Sequence, residues 1–480
     1  MTSPVHDVAV IGAGPVGATL AALLAKRGLS VVVLERDIDV YPLPRAAHLD
    51  AETVRNLREI GAWSESPGWS IVNEGMDFVN GEGQLLLRMT AVDSPENTTP
   101  QSNLFHQPSL DRLIRERAVH HGATLLLGHE VVSVNEDPDV VKLTARDSGG
   151  CDVEIAASWV VGCCGARSFL RRHMNTSQID LQFDEPWLVV DVIVNDPEVP
   201  SPTRTVQVCD PRRPSTIVPM PAPRRRFEFM LLPGETVDDV NQSEKITDWM
   251  SPYLDPSVVT IERSAVYTFH GLIAEEWRRG RLLLAGDAAH QMPPFLGQGM
   301  CSGIRDAVNV AWKLAAVCRG ADESLLDTYQ AERSPHVRRI VESAVGFGRI
   351  ICTLDADEAA GRDQMMIAAR EANPVDIGGA PMPSLSGSPL VTDGAGQLLD
   401  DGRRGERTID ELLDGRWAVI GSSTSLTDED RAVLSSLDAV AIDESAQEPT
   451  IVRPDRIVFG IGRAALDALA DVVNRYKLFG

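Results

Sequence analysis

The N-terminal strand, turn and helix constrain the fold of this chain more than any other feature of its sequence. Asp7 to Ile11 (DVAVI) has the apolar content of a buried strand, and the turn Gly12-Ala13-Gly14-Pro15-Val16-Gly17 follows it directly. An alanine- and leucine-rich helix is predicted from Ala18 to Arg27. The first glycine permits a tight turn, the second admits a pyrophosphate to the backbone, and the third lets the helix pack closely on the sheet. This order predicts a Rossmann-like α/β unit with a dinucleotide at the helix N-terminus.

A carboxylate stands at the end of the second predicted strand. Ser30 to Leu34 is apolar, and Glu35 follows it where a carboxylate can accept hydrogen bonds from both hydroxyls of an adenosine ribose. Arg36, the next residue, is included with Glu35 among the predicted cofactor contacts. Taken by itself, the glycine pattern has an alternative interpretation as a turn that binds no ligand. The register of strand, turn, helix and Glu35 together disfavours that alternative.

The segment from Leu284 to Ala307 indicates a flavin rather than a nicotinamide as the resident cofactor. Arg281 to Ala285 (RLLLA) is predicted to form a short buried strand that ends at Gly286 and Asp287. Ligands of open α/β sheets bind at the carboxyl ends of strands. There Asp287 can accept a hydrogen bond from a ribitol hydroxyl, and Gly286 leaves room for the chain to pass close by.

A proline, a glycine turn and a long helix follow. Pro294 imposes an extended path, and Gly297 and Gly299 supply a flexible turn before a helix predicted from about Met300. The N–H groups of Met300 and Cys301 would then face the N1/C2 carbonyl edge of a flavin, where negative charge gathers on reduction. The Cys301 side chain is expected to be a small residue at a crowded turn, with a redox thiol as the alternative.

Composition excludes several classes of partner. The chain has 480 residues and a net charge of -24, so anionic membrane surfaces would be repelled and nucleic acid is not an expected partner. Its seven cysteines show no C-x-x-C spacing, which gives no reason to expect a metal site or a disulfide framework. No apolar run approaches the roughly 20 residues that span a bilayer. The N-terminal residues lack the pattern of a signal peptide, so a cytoplasmic location is expected.

Two further motifs complete a family resemblance. Arg45 lies in Pro44-Arg45-Ala46, and Gln107 lies in Phe105-His106-Gln107-Pro108. With the glycine turn and the Gly286-Asp287 segment, they resemble the single-component FAD-dependent aromatic hydroxylases of the p-hydroxybenzoate hydroxylase fold, over residues 5 to about 345. The resemblance implies that Arg45 contacts the FAD pyrophosphate and Gln107 the ribitol region. A closer likeness, to the 3-(3-hydroxyphenyl)propionate hydroxylases, is carried by Cys209 to Pro214, Arg226 to Met230 and Gly303 to Leu314.

The resemblance and the changes of character along the chain predict three domains. A discontinuous FAD-binding domain takes residues 1–180 and 276–371, and an antiparallel-sheet substrate domain takes residues 181–275. Strand-like runs mark that sheet at Trp187 to Val194, Thr205 to Val208, Phe227 to Leu232 and Val258 to Tyr267. A linker rich in Pro, Gly and Ser covers 372–396, and a thioredoxin-like C-terminal domain covers 397–480. The last domain has no cysteine, so we expect it to act as a scaffold or as a subunit interface, for example that of a homodimer.

The resemblance implies an FAD-dependent aromatic monooxygenase. NAD(P)H would reduce FAD, O2 would form a flavin C4a-hydroperoxide, and the distal oxygen would pass to a phenolic substrate. A base for the phenol should be a His, a Tyr or a carboxylate in the pocket. His48, three residues after Arg45, and Tyr267, near the end of the last predicted pocket strand, are the predicted catalytic residues. The alternative is that His48 and Tyr267 only pack and form hydrogen bonds, without a catalytic role.

One departure from the family pattern concerns reduction of the flavin. The family carries an Asp-Gly pair after a strand, whereas this chain has Cys164 before Gly165. A thiol cannot accept charge-assisted hydrogen bonds, so reduction by NAD(P)H is predicted to be weak, altered or lost, although Arg167 and Arg171 could still pair with cofactor phosphates. The alternatives are therefore a flavin-dependent oxidase or dehydrogenase and a non-enzymatic flavin-binding relative. The phenol, the ring position and the choice between NADH and NADPH stay open.

Overall fold

The computed structural model describes residues 5–64, 67–91, 97–378, 382–444 and 448–478. A mixed sheet with a parallel centre contains the predicted N-terminal unit. Val5–Ile11 pairs in parallel with Val31–Glu35 on one side and with Asp152–Gly162 on the other, and its apolar end is buried on both faces as a parallel sheet requires. From edge to edge the strands are Arg278–Arg279, Leu282–Leu284, Asp152–Gly162, Val5–Ile11, Val31–Glu35 and Thr124–Leu127, with His129–Glu136 and Val141–Asp147 as a hairpin against Asp152–Gly162.

The helix after the glycine turn packs against two others. Pro15–Lys26 contacts both Gln107–His120 and Gly299–Cys318. It forms because alanine and leucine favour helix and because Pro15 suits the first turn, where an N–H group has no helical acceptor. The other helices are Ala51–Glu59, Phe169–His173, Val237–Val240, Ser243–Met250, Asp327–Ile351, Ala356–Ala372, Ile409–Leu413, Asp428–Ser436 and Arg463–Tyr476. Short 3-10 turns lie at Pro256–Val258, Gly286–Ala288, Pro294–Leu296, Glu323–Leu326 and Ser423–Ser425.

A second sheet is largely antiparallel. Its longest pair joins Gln178–Val194 to Val259–Ala274. Side chains of a strand alternate between faces, and on one face Phe227 and Phe229 pack with the helix Ser243–Met250. The opposite face bears polar residues that line a cavity. From edge to edge the strands are His290–Gln291, Val259–Ala274, Gln178–Val194, Arg224–Met230, Ser215–Pro219, Thr205–Cys209, Gly75–Asn80, Leu85–Thr90 and Ile377–Gly378.

This sheet contains strands that the sequence patterns did not predict. The four predicted strands are present with shifted bounds, and Ser215–Pro219 lies among them. Gly75–Asn80 and Leu85–Thr90 join the sheet from far upstream, outside the range 181–275 predicted for the substrate domain. Ile377–Gly378, inside the predicted linker 372–396, pairs in parallel with Leu85–Thr90. Residues 379–381 of that linker lie outside the described ranges, and the predicted domain boundaries stay predictions.

A third, smaller layer comes from the C-terminal part. Its strands run in the order Val440–Asp443, Ala418–Gly421, Thr450–Val452 and Val458–Ile461, of which the first pair is parallel and the others antiparallel. Trp417 packs at 5.8 Å between the rings of Trp312 and Phe459, which joins this layer to the helix Gly299–Cys318. The described residues also form two small sheets, His48–Asp50 with Ser102–Phe105 and Ser70–Val72, and Arg403–Arg404 with Arg407–Thr408. Within the described ranges, no helix has both the length and the apolar character that a membrane crossing needs.

Candidate active site

A cavity of about 1370 Å³ opens between the carboxyl ends of the first sheet and the polar face of the second. Small-molecule sites commonly measure about 300–1,000 Å³, so this cavity has room for a dinucleotide and a second molecule. The predicted site residues that line it are Gly12, Gly14, Glu35, Arg36, Arg45, His48, Gln107, Tyr267, Asp287, Pro294, Gly297, Gly299 and Met300. Gly17, Gly286 and Cys301 are buried behind that lining.

The glycine turn leaves one side of the backbone open. Gly12 has a φ of +103°, which favours glycine, and a Cβ at Gly17 would lie 2.0 Å from the carbonyl oxygen of Gly12. A Cβ at Gly14 would meet no described protein atom within 4 Å, so the cavity side of the turn is free. The helix Pro15–Lys26 begins there, and the N–H groups of its first turn have no intrahelical acceptor. An anionic group of a ligand fits this place.

The Glu35 carboxylate is held at the turn. Its Oε2 accepts a hydrogen bond from the Ala13 N–H at 2.7 Å, and its Oε1 accepts one from the Asp37 N–H at 3.0 Å. Arg115 Nε donates to the Ala13 carbonyl at 2.8 Å and fixes the turn from the other side. Each carboxylate oxygen keeps a lone pair for a ribose hydroxyl. Arg36 is exposed at the rim of the cavity.

Gln107 holds the loop that carries Arg45. Its Oε1 accepts hydrogen bonds from the backbone N–H groups of Arg45 and Ala46, both at 2.8 Å. Its Nε2 donates to Asp111 Oδ2 at 3.2 Å, which leaves one amide proton for a ligand. The Arg45 guanidinium lies over the Tyr41 ring, 4.5 Å from its centroid, and stays exposed. Gln107 therefore positions the loop of Arg45. The contact of Gln107 with the ribitol region of FAD remains a prediction.

Asp287 presents an unpaired carboxylate to the cavity. Gly286, with a φ of +62°, turns the chain after the strand Leu282–Leu284, and its N–H donates to Asp306 Oδ2 at 3.1 Å. The Asp287 carboxylate accepts no hydrogen bond from the described residues, so its acceptors are free for a ligand. Burial raises the pKa of Asp287, while His290, Arg45 and Arg171 oppose that rise.

The helix Gly299–Cys318 starts at the cavity wall. Gln298 precedes it and its carbonyl accepts from the Ser302 N–H at 2.9 Å, so the N–H groups of Gly299, Met300 and Cys301 are left without helical acceptors. The Cys301 thiol turns the other way and lies 3.7 Å from the carbonyl oxygens of His48 and Gly297. Burial raises its pKa to about 12. This side chain therefore packs, while its backbone N–H is part of the helix N-terminus.

Both predicted catalytic residues reach the cavity, and each already has protein partners. His48 Nδ1 lies 3.3 Å from the Gly297 carbonyl oxygen and Nε2 lies 2.9 Å from Ser102 Oγ, an arrangement that suits a neutral ring protonated on Nδ1. Burial lowers the pKa of His48. Arg263 Nη1 donates to the Tyr267 hydroxyl at 3.2 Å, and burial raises the pKa of Tyr267. A raised tyrosine pKa leaves less phenolate to accept a proton, and both catalytic roles stay predictions.

Sequence reasoning missed a carboxylate on the sheet face. Glu228 lies on Arg224–Met230 with its side chain buried at the cavity wall. Arg226, two residues before it on the same face, pairs with Asp191 at 2.7 Å. Charged residues alternate with Phe227 and Phe229 in this strand, which is the signal of one polar and one apolar face. The alternation does not say which face meets a ligand.

Cys164 lies in the cavity wall, as does Arg167. The Cys164 thiol is 3.1 Å from Ser168 Oγ, and Ser168 caps the helix Phe169–His173. Arg171 does not face a ligand, because its guanidinium donates to the carbonyls of Ala288 at 2.9 Å and Ala166 at 2.6 Å. Of the two arginines expected near cofactor phosphates, Arg167 alone is therefore placed to reach one.

Comparison with known proteins gives a consistent set of relatives. A sequence profile described as "FAD binding domain" matches residues 5–344. A "Probable NADH-specific resorcinol 4-hydroxylase" of Rhodococcus jostii is 37% identical over 96% of this chain and 93% of its own length. A "3-(3-hydroxy-phenyl)propionate/3-hydroxycinnamic acid hydroxylase" of Klebsiella pneumoniae is 34% identical over 86% of this chain and 78% of its own length.

Solved structures share the fold. The complex of aklavinone-11 hydroxylase with FAD and aklavinone superposes with a TM-score of 0.80 over 99% of both chains, at 24% identity. The p-nitrophenol 4-monooxygenase of Pseudomonas putida superposes with a TM-score of 0.69 over 76% of this chain and 94% of its own, at 25% identity. The first of these likenesses concerns the fold alone.

Proposed function

This chain belongs to the family that the FAD binding domain defines, and on that premise we propose that it is an FAD-dependent monooxygenase that hydroxylates a phenolic ring with NAD(P)H and O2. The predicted family resemblance and the predicted FAD cofactor are confirmed by that match. The relatives described above are named as hydroxylases of resorcinol and of hydroxylated phenylpropionate and cinnamate. Their names favour hydroxylation over the oxidase, dehydrogenase and non-enzymatic alternatives.

One observation carries the proposal. A single cavity joins the open side of the glycine turn, the free carboxylate of Asp287 and the N-terminus of Gly299–Cys318 to the polar face of the antiparallel sheet. A dinucleotide reaching from the turn to the helix would thus lie beside space for a second small molecule. Reaction between a cofactor and a substrate needs this adjacency.

The residues present fit FAD. The open face of Gly14 and the first turn of Pro15–Lys26 suit its pyrophosphate, and Glu35 suits its adenosine ribose. Asp287 can accept from a ribitol hydroxyl, and the N–H groups at the start of Gly299–Cys318 suit an atom that gains negative charge. When bound, FAD supplies electron transfer from NAD(P)H and the activation of O2 for oxygen transfer.

The chain contributes orientation and exclusion of water. Phe269 and Phe295, edge to face at 6.2 Å, form an apolar wall against which an aromatic ring can pack. A segment before the C-terminal layer covers one side of the cavity, where Asp401 accepts a hydrogen bond from Thr99 Oγ1 at 2.6 Å. Keeping water away from the reacting oxygen favours its transfer to the substrate.

The finer architecture is part of the proposal. The C-terminal strand order, with one parallel pair and two antiparallel pairs flanked by Asp428–Ser436 and Arg463–Tyr476, supports a thioredoxin-like domain. Its lack of cysteine supports a scaffold or interface role, including that of a homodimer. We further propose a cytoplasmic location, and NADH as the electron donor, because a relative is named NADH-specific. The effect of Cys164 on reduction by NADH, predicted to be weak, altered or lost, stays a prediction.

The purified protein tests the proposal. We expect a flavin absorbance spectrum, NADH oxidation stimulated by phenols, and a product that carries one oxygen atom from labelled O2. Failure of the protein to bind added FAD would overturn the cofactor assignment. NADH oxidation that yields only hydrogen peroxide with every phenol would overturn hydroxylation.

A further inference from the structure

Glu228 occupies a defined place on the cavity face of the antiparallel sheet. Its strand pairs it with Thr216 on one side and with Val189 on the other. Gln207 pairs with Thr216 in the next strand, so these four residues form one row across the sheet. All four line the cavity, and the Glu228 residue is only 7% exposed. The register therefore directs a buried carboxylate toward any molecule that lies on this face.

The Glu228 carboxylate has an ion-pair contact but no hydrogen-bond donor among the described residues. Among the described residues, no donor makes a hydrogen bond to Glu228, and Arg226 Nη1 approaches it only to 3.8 Å. Arg226 is turned away by stronger contacts, because it donates to Asp191 Oδ1 at 2.7 Å and to the carbonyl of Pro44 at 2.6 Å. A buried carboxylate without a donor costs free energy, and such groups normally find a partner. Because Glu228 lines the cavity, a molecule bound there can supply the donor.

The charges around Glu228 are balanced before any substrate binds. Asp191 contacts both nearby arginines, with Arg226 Nε at 2.7 Å and Arg263 Nη2 at 2.9 Å. The two arginines thus match the two carboxylates, Asp191 and Glu228. A hydroxyl donor brings no charge of its own and therefore fits beside Glu228 without a further counter-charge.

We propose that Glu228 accepts a hydrogen bond from a phenolic hydroxyl and then takes its proton. The inference rests on the proposed function. In the step, the phenol O–H bond breaks and an O–H bond forms on the carboxylate. The electron pair stays on the phenolate oxygen and enriches the ortho and para carbons of the ring. Burial raises the pKa of Glu228, which makes the carboxylate a better proton acceptor.

The test compares E228Q with E262Q in the FAD-loaded protein. Glu262 lies on the strand Val259–Ala274, which Gln178–Val194 separates from the strand that carries Glu228. It pairs with Arg224 at 3.1 Å and does not line the cavity, so E262Q is a matched control. Binding is followed through the change in flavin absorbance on titration with resorcinol, an uncharged dihydroxybenzene. Turnover is followed through the hydroxylated product.

We expect E228Q to retain FAD and to bind resorcinol about 10- to 100-fold more weakly, since a hydrogen bond to a charged group is lost. Its kcat should fall by about 100-fold, the usual contribution of a general base. E262Q should match the wild type in both measurements. A resorcinol dissociation constant and a kcat unchanged in E228Q would overturn the inference.

A ligand without a hydroxyl supplies a second readout. E228Q should weaken binding of resorcinol but leave binding of its dimethyl ether, which has no hydroxyl to donate, unchanged. Equal weakening for both ligands would overturn the hydrogen bond to Glu228. If resorcinol binds through Glu228 as expected but no phenol is hydroxylated, the proposed function fails while the recognition role of Glu228 stands.

Discussion

Arg453 anchors the C-terminal layer through a buried charge network. Its guanidinium contacts Glu332 Oε1 at 2.7 Å and Asp455 Oδ2 at 2.6 Å, and all its side-chain atoms are buried. Glu332 also accepts from Lys313 at 2.7 Å and from Asn309 at 2.8 Å. Burial alone would raise the pKa of Glu332, but Arg453 and Lys313 hold it well below its usual range. The network therefore connects Arg453, which directly follows the strand Thr450–Val452, to the helices Gly299–Cys318 and Asp327–Ile351.

Replacing Arg453 with methionine tests this account. The apolar length of the side chain is kept, while Glu332 loses two hydrogen bonds and Asp455 loses its ion pair. Removing one partner of a buried ion pair usually costs about 3–5 kcal/mol, because the other charge stays buried and uncompensated. Arg416→Met is the control in the same layer. Arg416 is 43% exposed and pairs at 3.6 Å with Asp438, which is 82% exposed, and such surface pairs contribute less than about 1 kcal/mol.

Urea unfolding followed by tryptophan fluorescence measures the difference. Trp312 and Trp417 lie in edge-to-face contact at 5.8 Å across the junction, so their emission reports separation of the C-terminal layer. Arg453→Met should lower the free energy of unfolding by about 3–5 kcal/mol and Arg416→Met by less than about 1 kcal/mol. Equal midpoint shifts in the two variants would refute the buried-network argument.

Further substitutions test the cofactor end of the cavity and its pH dependence. Gly17→Ala places a Cβ 2.0 Å from the Gly12 carbonyl oxygen and should lower both FAD affinity and the free energy of unfolding. Gly14→Ala should lower FAD affinity alone. FAD titration and urea unfolding separate these two outcomes. Asp287→Asn should weaken FAD binding about tenfold in a fluorescence titration, and an unchanged dissociation constant would exclude Asp287 from the FAD site. Burial raises the pKa of Asp111 to about 7, so the folded protein keeps a proton that the unfolded chain releases above about pH 4. Its contribution to stability is fully present below about pH 4 and is lost as the pH rises through 7, by up to about 4 kcal/mol. Asp111→Asn should abolish that loss, and parallel urea midpoints for both proteins between pH 5 and 8 would contradict the burial argument.

Parts of the site could be predicted because their residues are contiguous. The turn from Gly12 to Gly17 and the pair Gly286-Asp287 each form a complete local unit, in which backbone conformation and neighbours along the chain set the geometry. Pairings between distant segments were not predictable in the same way. Gly75–Asn80 becomes a sheet strand through its parallel pairing with Thr205–Cys209. The Oε1 atom of Gln107 likewise accepts a hydrogen bond from the Arg45 N–H, and these two residues are far apart in sequence.

The sequence by itself determined the α/β class of fold through hydrophobic periodicity and FAD as the cofactor through two local motifs. It indicated the family through the resemblance that those motifs carry. Only the tertiary structure decided which carboxylate faces the substrate space. The strand around Glu228 shows alternating character, but the face that meets the cavity depends on its register against Thr216 and Val189. Only the folded structure also showed that Arg226 donates a hydrogen bond to Asp191. Glu228 is therefore left without a hydrogen-bond donor among the described residues. Side-chain direction in a sheet alternates along the chain, whereas the partners of each side chain come from other strands.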